Sequence, residues 1–183
     1  MSTHAHNLYF LPSGTVDQFN VVIEIPEGSQ NKYEIDPDTG ATFLDRVLYG
    51  SVYYPANYGF IPSTKAEDGD ALDALVFINN PVPPSTVVRC RAIGMMNMVD
   101  SGETDSKILA VSVDDPYFAH YQDVKDIPEH KMKEIKDFFE NMQKFKKGQW
   151  IKNVNQITGV IGKNEANTEI AKYLNNYTRS ANN

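Results

Sequence analysis

Apolar residues run in short blocks through the first two thirds of the chain, and each block stops at turn-forming residues. Asn20-Val21-Val22-Ile23-Glu24-Ile25 ends at Pro26, and Lys32-Tyr33-Glu34-Ile35 ends at Asp36-Pro37-Asp38-Thr39-Gly40, a strand, turn, strand pattern. Residues 42–47 predict the return strand of a hairpin. Further strands are predicted over 72–78, over 87–99 with a break near Gly94, and over 107–113, while Tyr53 to Phe60 read as an aromatic loop. Helical spacing appears only later. Met132, Ile135, Phe139 and Met142 share one face after Pro128, and Ala166, Ile170, Leu174 and Tyr177 repeat the pattern near the C-terminus. Many short strands with frequent turns predict a mainly β fold, closed as a small antiparallel barrel with two flanking helices packed on it.

The length of 183 residues predicts one domain, 1–183, with a short N-terminal arm over 1–18 and a polar C-terminal tail over 178–183 that frays. A chain of this size buries roughly 70% of the surface exposed when unfolded, enough for a core without staples. Cys90 is the only cysteine, so no intrachain disulfide forms, and Val87-Val88-Arg89-Cys90-Arg91 reads as strand. No run of 18 apolar residues occurs, and Leu8-Tyr9-Phe10-Leu11 is too short for a signal segment. A soluble, cytoplasmic chain with no membrane partner is expected. The formal net charge of −7 and a pI near 5.0 also oppose broad nucleic-acid binding, which needs a basic surface.

Chemistry concentrates in Glu67-Asp68-Gly69-Asp70-Ala71-Leu72-Asp73, where three aspartates within six residues lead into an apolar strand. Like charges this close require solvation, protonation or a cation, and an all-oxygen donor set favours Mg2+ or Mn2+ over Zn2+. An EF-hand loop starting at Asp68 is rejected, because its fifth, sixth and twelfth places hold Leu72, Asp73 and Asn79. An acidic surface turn without a ligand stays open on this segment alone.

A second acidic turn, Asp100-Ser101-Gly102-Glu103-Thr104-Asp105-Ser106-Lys107, separates two predicted strands; it reads either as a solvated hairpin loop or as a partner of the first. If the two turns converge, five aspartates demand more than one cation. Lys32 and Glu34 share one strand face and Arg46 lies on the next strand, either as surface ion pairs or as an oxyanion grip. One or two phenols of Tyr53-Tyr54-Pro55-Ala56-Asn57-Tyr58 could point into the same polar site. Metal-holding carboxylates beside Lys, Arg and Tyr are what phosphoryl transfer to water requires, and no Walker or Gly-rich phosphate loop is present.

In order along the chain, Val22-Ile23-Glu24-Ile25-Pro26, Lys32-Tyr33-Glu34, Leu44-Asp45-Arg46, Tyr54-Pro55-Ala56-Asn57-Tyr58-Gly59, Asp68-Gly69-Asp70-Ala71-Leu72-Asp73 and Asp100-x4-Asp105-x-Lys107 resemble the soluble family I inorganic pyrophosphatases over about residues 19–150. The resemblance implies a five-stranded OB-like barrel with flanking helices that hydrolyses pyrophosphate to two phosphates with several Mg2+ ions, Mn2+ being a substitute. It also implies Asp68, Asp73 and Asp105 as metal ligands, with Asp100 holding a further, substrate-borne ion. Asp70 becomes the general base. Lys32, Arg46 and Tyr58 grip phosphate oxygens, while Glu24, Glu34, Tyr54 and Lys107 line the site, Glu24 on the metal side and both glutamates ordering metal-bound water.

The chain departs from the family after Phe138-Phe139-Glu140. Where the family continues with a residue and then Tyr-Lys, both touching phosphate, this sequence has Asn141-Met142-Gln143. Each lost charge-assisted contact costs about 1.5–3 kcal/mol. Lys144, Lys146 or Lys147 could reach in instead, and Met142 also fits the apolar helix face. Ala71 replaces the family's usual Pro, worth about 0.4–1 kcal/mol through the unfolded chain. A homo-oligomer is implied, its size left open because Asp137 and Asn141 stand where bacterial hexamers often carry histidines. The principal expectation is a Mg2+-dependent pyrophosphatase. The alternatives are a catalytically weakened phosphate or pyrophosphate binder and an OB-type single-strand nucleic-acid module; retention of Asp70 opposes the first and the acidic groove opposes the second.

Overall fold

The computed structural model describes residues 7–143, 145–146, 149–150 and 155–181. Its strands are β1 (Phe19–Ile25), β2 (Asn31–Ile35), β3 (Thr42–Val47), β4 (Asn57–Ile61), β5 (Leu72–Phe77), β6 (Val87–Asp100), β7 (Glu103–Thr104), β8 (Lys107–Ser112), β9 (Phe145–Lys146), β10 (Gln149–Trp150) and β11 (Asn155–Gly162). The helices are α1 (Glu129–Asn141), which begins after Pro128, and α2 (Lys163–Ala181). Strands pair in the order β1-β4-β5-β8-β6, and β6 pairs back onto β1, so five strands close a ring with β11 added outside β6.

Closure rests on β6, whose 14 residues pair with β1 at one end and with β11 at the other. A register slip between Ala92 and Gly94 bends the strand without interrupting it, so the break expected near Gly94 is a bulge inside one strand. One joint also departs from the expected antiparallel pattern: β5 and β8 run parallel, Ala74 opposite Ile108. That pairing sets the starts of both strands, and the acidic turns before them, at the same end of the barrel.

Both faces of the ring are buried, which is why the strands read as nearly continuous apolar runs. Leu72, Ala74 and Val76 of β5 join Ile108 and Ala110 of β8 on one face, covered by Ala166, Ile170 and Tyr173 of α2. Leu75, Phe77, Leu109 and Val111 take the other face, covered by Ile135, Phe138 and Phe139 of α1. Cys90 lies fully buried in β6, as the strand reading expected, and burial pushes its thiol pKa up. The predicted hairpin forms as β2 and β3, a separate two-stranded sheet in which Lys32 lies opposite Arg46.

Two readings are corrected. Residues 57–61 are the strand β4 and not loop, with Asn57, Gly59, Phe60 and Ile61 buried between β1 and β5. The stretch from 178 continues α2 through Ala181. Gly59 explains why β4 escaped notice: a side chain there would put its Cβ 1.9 Å from Val22 O and 2.8 Å from Ile23 Cα, so the tight β1–β4 approach demands a residue that ordinarily weakens strands. Gly59→Ala is therefore expected to cost at least about 3 kcal/mol, the upper range of overpacking, in urea denaturation. An unchanged midpoint would mean that β1 and β4 do not pack this closely.

Candidate active site

A cavity of about 1060 Å3 opens where the acidic turns, the β2–β3 hairpin and the end of α1 meet. All twelve residues singled out from the sequence line it: Glu24, Lys32, Glu34 and Arg46 from the β1–β3 side, Tyr54 and Tyr58 from the aromatic segment, Asp68, Asp70 and Asp73 from the first acidic turn, and Asp100, Asp105 and Lys107 from the second. The two turns do converge.

Strand register places these groups. Tyr58 of β4 and Asp73 of β5 point to the same side of the barrel wall, and the parallel pairing of β5 with β8 brings Lys107 alongside. Tyr58 Oη donates to Asp73 Oδ2 at 2.5 Å, and Lys107 Nζ donates to the same oxygen at 2.6 Å and to Asp105 as well. Lys107 is 3% exposed. Burial by itself would lower its pKa, but Asp73 and Asp105 outweigh that and the ammonium is raised, so it stays charged. Burial raises Asp105 despite the opposing pull of Lys107, and burial followed by the Asp73 and Asp105 charges lifts the Tyr58 phenol well above its ordinary value.

The first acidic turn is short and self-bonded. Ala66 N donates to Asp70 O at 2.8 Å, Asp70 N to Asp68 Oδ1 at 3.0 Å, and Gly69 takes a φ of +94° that L side chains resist. Asp70 thereby stands in the cavity with its pKa raised, by partial burial first and then by Asp68, Asp73 and Glu34. Glu24 is buried in β1, accepts a hydrogen bond from Ile35 N at 2.8 Å, and is pushed up to about 8 by burial, with Asp73 and Glu34 adding to the effect. A tether from outside secures the turn: Lys172 of α2 pairs with Glu67 at 2.8 Å.

On the hairpin Lys32 pairs with Glu34 and, at 3.4 Å, with Asp45, while Arg46 Nη1 pairs with Asp45 at 2.7 Å. The ion pairs expected of these residues therefore form, and the same residues line the cavity. Met142 likewise packs on the α1 core face and lines the cavity, and Gln143 Nε2 donates to Asp100 Oδ2 at 3.0 Å. Lys144 and Lys147 lie outside the described residues, as does the side chain of Lys146. Tyr9 and Asn155 are among the lining residues that escaped sequence reading. Tyr9 comes from the N-terminal arm, and Asn155 of β11 donates to Phe139 O at 2.8 Å; neither sits in a charged motif that could have signalled it.

Among the described residues, eleven lining side chains are acidic and three are basic. No three of the acids stand close enough together to hold one ion as they are placed. The donor chemistry nonetheless fits hard divalent cations: every candidate ligand is a carboxylate oxygen, and Asp70 and Glu24, raised by burial first, are raised further by neighbouring acids, a repulsion a cation would relieve.

A family model described as Inorganic pyrophosphatase matches residues 21–178. Soluble inorganic pyrophosphatase 1 of Arabidopsis thaliana is 52% identical over 139 residues, which are 76% of this chain and 65% of that protein. Soluble inorganic pyrophosphatase 2 of Chlamydomonas reinhardtii is 43% identical over 173 residues, 94% of this chain and 86% of its own length. The chain thus spans somewhat less than two thirds of the length of the plant relative and most of the algal one. The crystal structure of inorganic pyrophosphatase from Thermus thermophilus superposes with a TM-score of 0.87 at 43% identity, covering 94% of this chain and 99% of that one.

Glu24 gives the site a pH signature. Its folded pKa of about 8 lies above the ordinary 4.5, so the metal-free folded state binds this proton more tightly than the unfolded chain. The resulting stability is complete below the ordinary value and is lost as pH rises through about 8. Glu24→Gln keeps an acceptor for Ile35 N and has no proton to lose. In chelator, its melting temperature is expected to gain on the wild type steadily from pH 5 to pH 8; parallel curves would mean that Glu24 ionises without penalty.

Proposed function

The chain belongs to the inorganic pyrophosphatase family, and on that premise we propose that it hydrolyses pyrophosphate to two orthophosphates by direct attack of water. The observation that carries this reading is the arrival of five aspartates from two separate turns on one cavity that also holds Lys32, Arg46 and Tyr58. In this reading Asp68, Asp73, Asp105 and Asp100 hold Mg2+ ions, with Glu24 on the metal side. Mg2+ when bound supplies neutralisation of phosphate charge and a lowered pKa for coordinated water.

The chain's own residues do the rest. Asp70 accepts the proton of the attacking water as its oxygen bonds to one phosphorus and the bridging P–O bond breaks; the departing phosphate carries away the bridging oxygen. The self-bonded turn holds this carboxylate in the cavity, where a positioned base can act. Lys32 and Arg46 leave their ion pairs with Glu34 and Asp45 to hold phosphate oxygens, and Tyr58 adds a neutral donor. Lys107 keeps Asp73 oriented once Tyr58 turns its one O–H from Asp73 to phosphate; Tyr54 and Glu34 complete the wall. The reading extends to a cytoplasmic homo-oligomer without nucleic-acid or membrane partners. The acidic balance supports the lack of a nucleic-acid partner, and the buried free Cys90 fits a reducing compartment.

Phosphate release from Mg2+-pyrophosphate is expected to be rapid for the wild type, slow with a nucleotide triphosphate, and about 10^2- to 10^4-fold slower for Asp70→Asn, the usual worth of a positioned base. A folded, Mg2+-binding wild type that releases no phosphate would favour the weakened binder. Because Met142 and Gln143 both face the cavity, Met142→Tyr with Gln143→Lys is expected to lower KM for pyrophosphate. An unchanged KM would mean that other groups already fill that role.

A further inference from the structure

The arm before β1 is fastened to the barrel on two sides. Asn7, which is buried, accepts a hydrogen bond from Tyr9 N at 3.0 Å and donates to Pro37 O at 2.6 Å in the β2–β3 turn. From the other side Ser63 N donates to Tyr9 O at 3.3 Å and Ser63 Oγ donates to Leu11 O at 2.9 Å. Leu8, Tyr9 and Leu11 pack with Val22, Ile35, Phe60 and Ala71, and the Tyr9 ring centroid lies 4.3 Å from that of Phe60. These contacts hold Tyr9 against the cavity wall, which it lines.

The surroundings of its phenol are acidic. Burial first, then the charges of Glu24, Asp70, Asp73 and Glu34, push its pKa well above the ordinary value, so the hydroxyl keeps its proton. It has no hydrogen-bond acceptor among the described residues. A neutral O–H donor is thus held ready in a wall of carboxylates, which by themselves repel any anion that enters. A phosphate oxygen supplies the missing acceptor.

We propose that Tyr9 is a further substrate-binding residue, its phenol donating a hydrogen bond to a phosphate oxygen on the side of the cavity formed by Glu24 and Asp70. The inference rests on the pyrophosphate reading of the same cavity. It makes the N-terminal arm a working part of the site, contributing a group from outside every charged motif of the chain.

Phosphate release from Mg2+-pyrophosphate, phosphate and Mg2+ titrations, and thermal denaturation on the same samples separate the ring from the hydroxyl. Tyr9→Phe keeps the stack on Phe60. It is expected to raise KM about 3- to 10-fold, the range of one lost neutral hydrogen bond, and to weaken inorganic phosphate binding in Mg2+ alike, while melting temperature and Mg2+ affinity stay at wild-type values. Tyr9→Leu is expected to lose as much binding and also to melt lower. Wild-type KM and phosphate affinity in Tyr9→Phe would overturn the inference. A wild type that releases no phosphate, yet binds it more tightly than Tyr9→Phe does, would sink the hydrolase reading and leave the contact standing. Failure of the wild type to bind phosphate at all would remove both.

Discussion

Repulsion among carboxylates is the constraint on which the rest of this structure depends. Two acidic turns meet at one end of a closed barrel, and a third set of acids faces them from β1 and the hairpin. Such an arrangement opposes folding unless the charges are protonated, paired or neutralised. The chain answers in part. Lys107 and the Tyr58 phenol share Asp73, Lys32 and Arg46 pair with Glu34 and Asp45, and Glu24 is held toward its neutral form. The remainder is the electrostatic demand that divalent cations meet.

Rigid packing makes that concentration tolerable and useful. Cores on both faces of the ring fix the strand ends, so the half-buried Asp73, Asp100 and Asp105 are held at the site, while Asp68 and Asp70 stand exposed on their turn. The parallel β5–β8 joint sets both acidic turns at one end, and the Glu67–Lys172 pair ties the first turn to α2. Fold stability is thereby spent on holding a site short of positive charge. Binding of cations, and through them of a phosphate anion, returns part of that free energy.

Much of this was legible in the sequence because the signals were local. Short apolar blocks ended by turn residues marked β1, β2, β3, β5, β6 and β8, helical spacing marked α1 and α2, and the aspartate spacing marked the site. What escaped depended on distant contacts. Strand β4 hid behind Pro55 and Gly59, whose presence makes sense only once β1 lies against it. Strand β11 pairs with the far end of β6, and nothing in its own polar residues announces that partner. The parallel joint is a property of the closed ring, invisible in any one segment. Tyr9 escaped because its neighbours are apolar and its chemistry comes from carboxylates 15 or more positions away. Convergence of the two acidic turns could be stated as a condition; only the topology meets it.

The most direct test of the central electrostatic account is the melting temperature of the chelator-stripped protein titrated with MgCl2 at constant ionic strength. The account predicts a rise that grows with the logarithm of free Mg2+ above its dissociation constant and that matched NaCl does not reproduce. A melting temperature that follows ionic strength alone, whatever the cation, would contradict it, because the carboxylates would then need only diffuse screening and no bound metal.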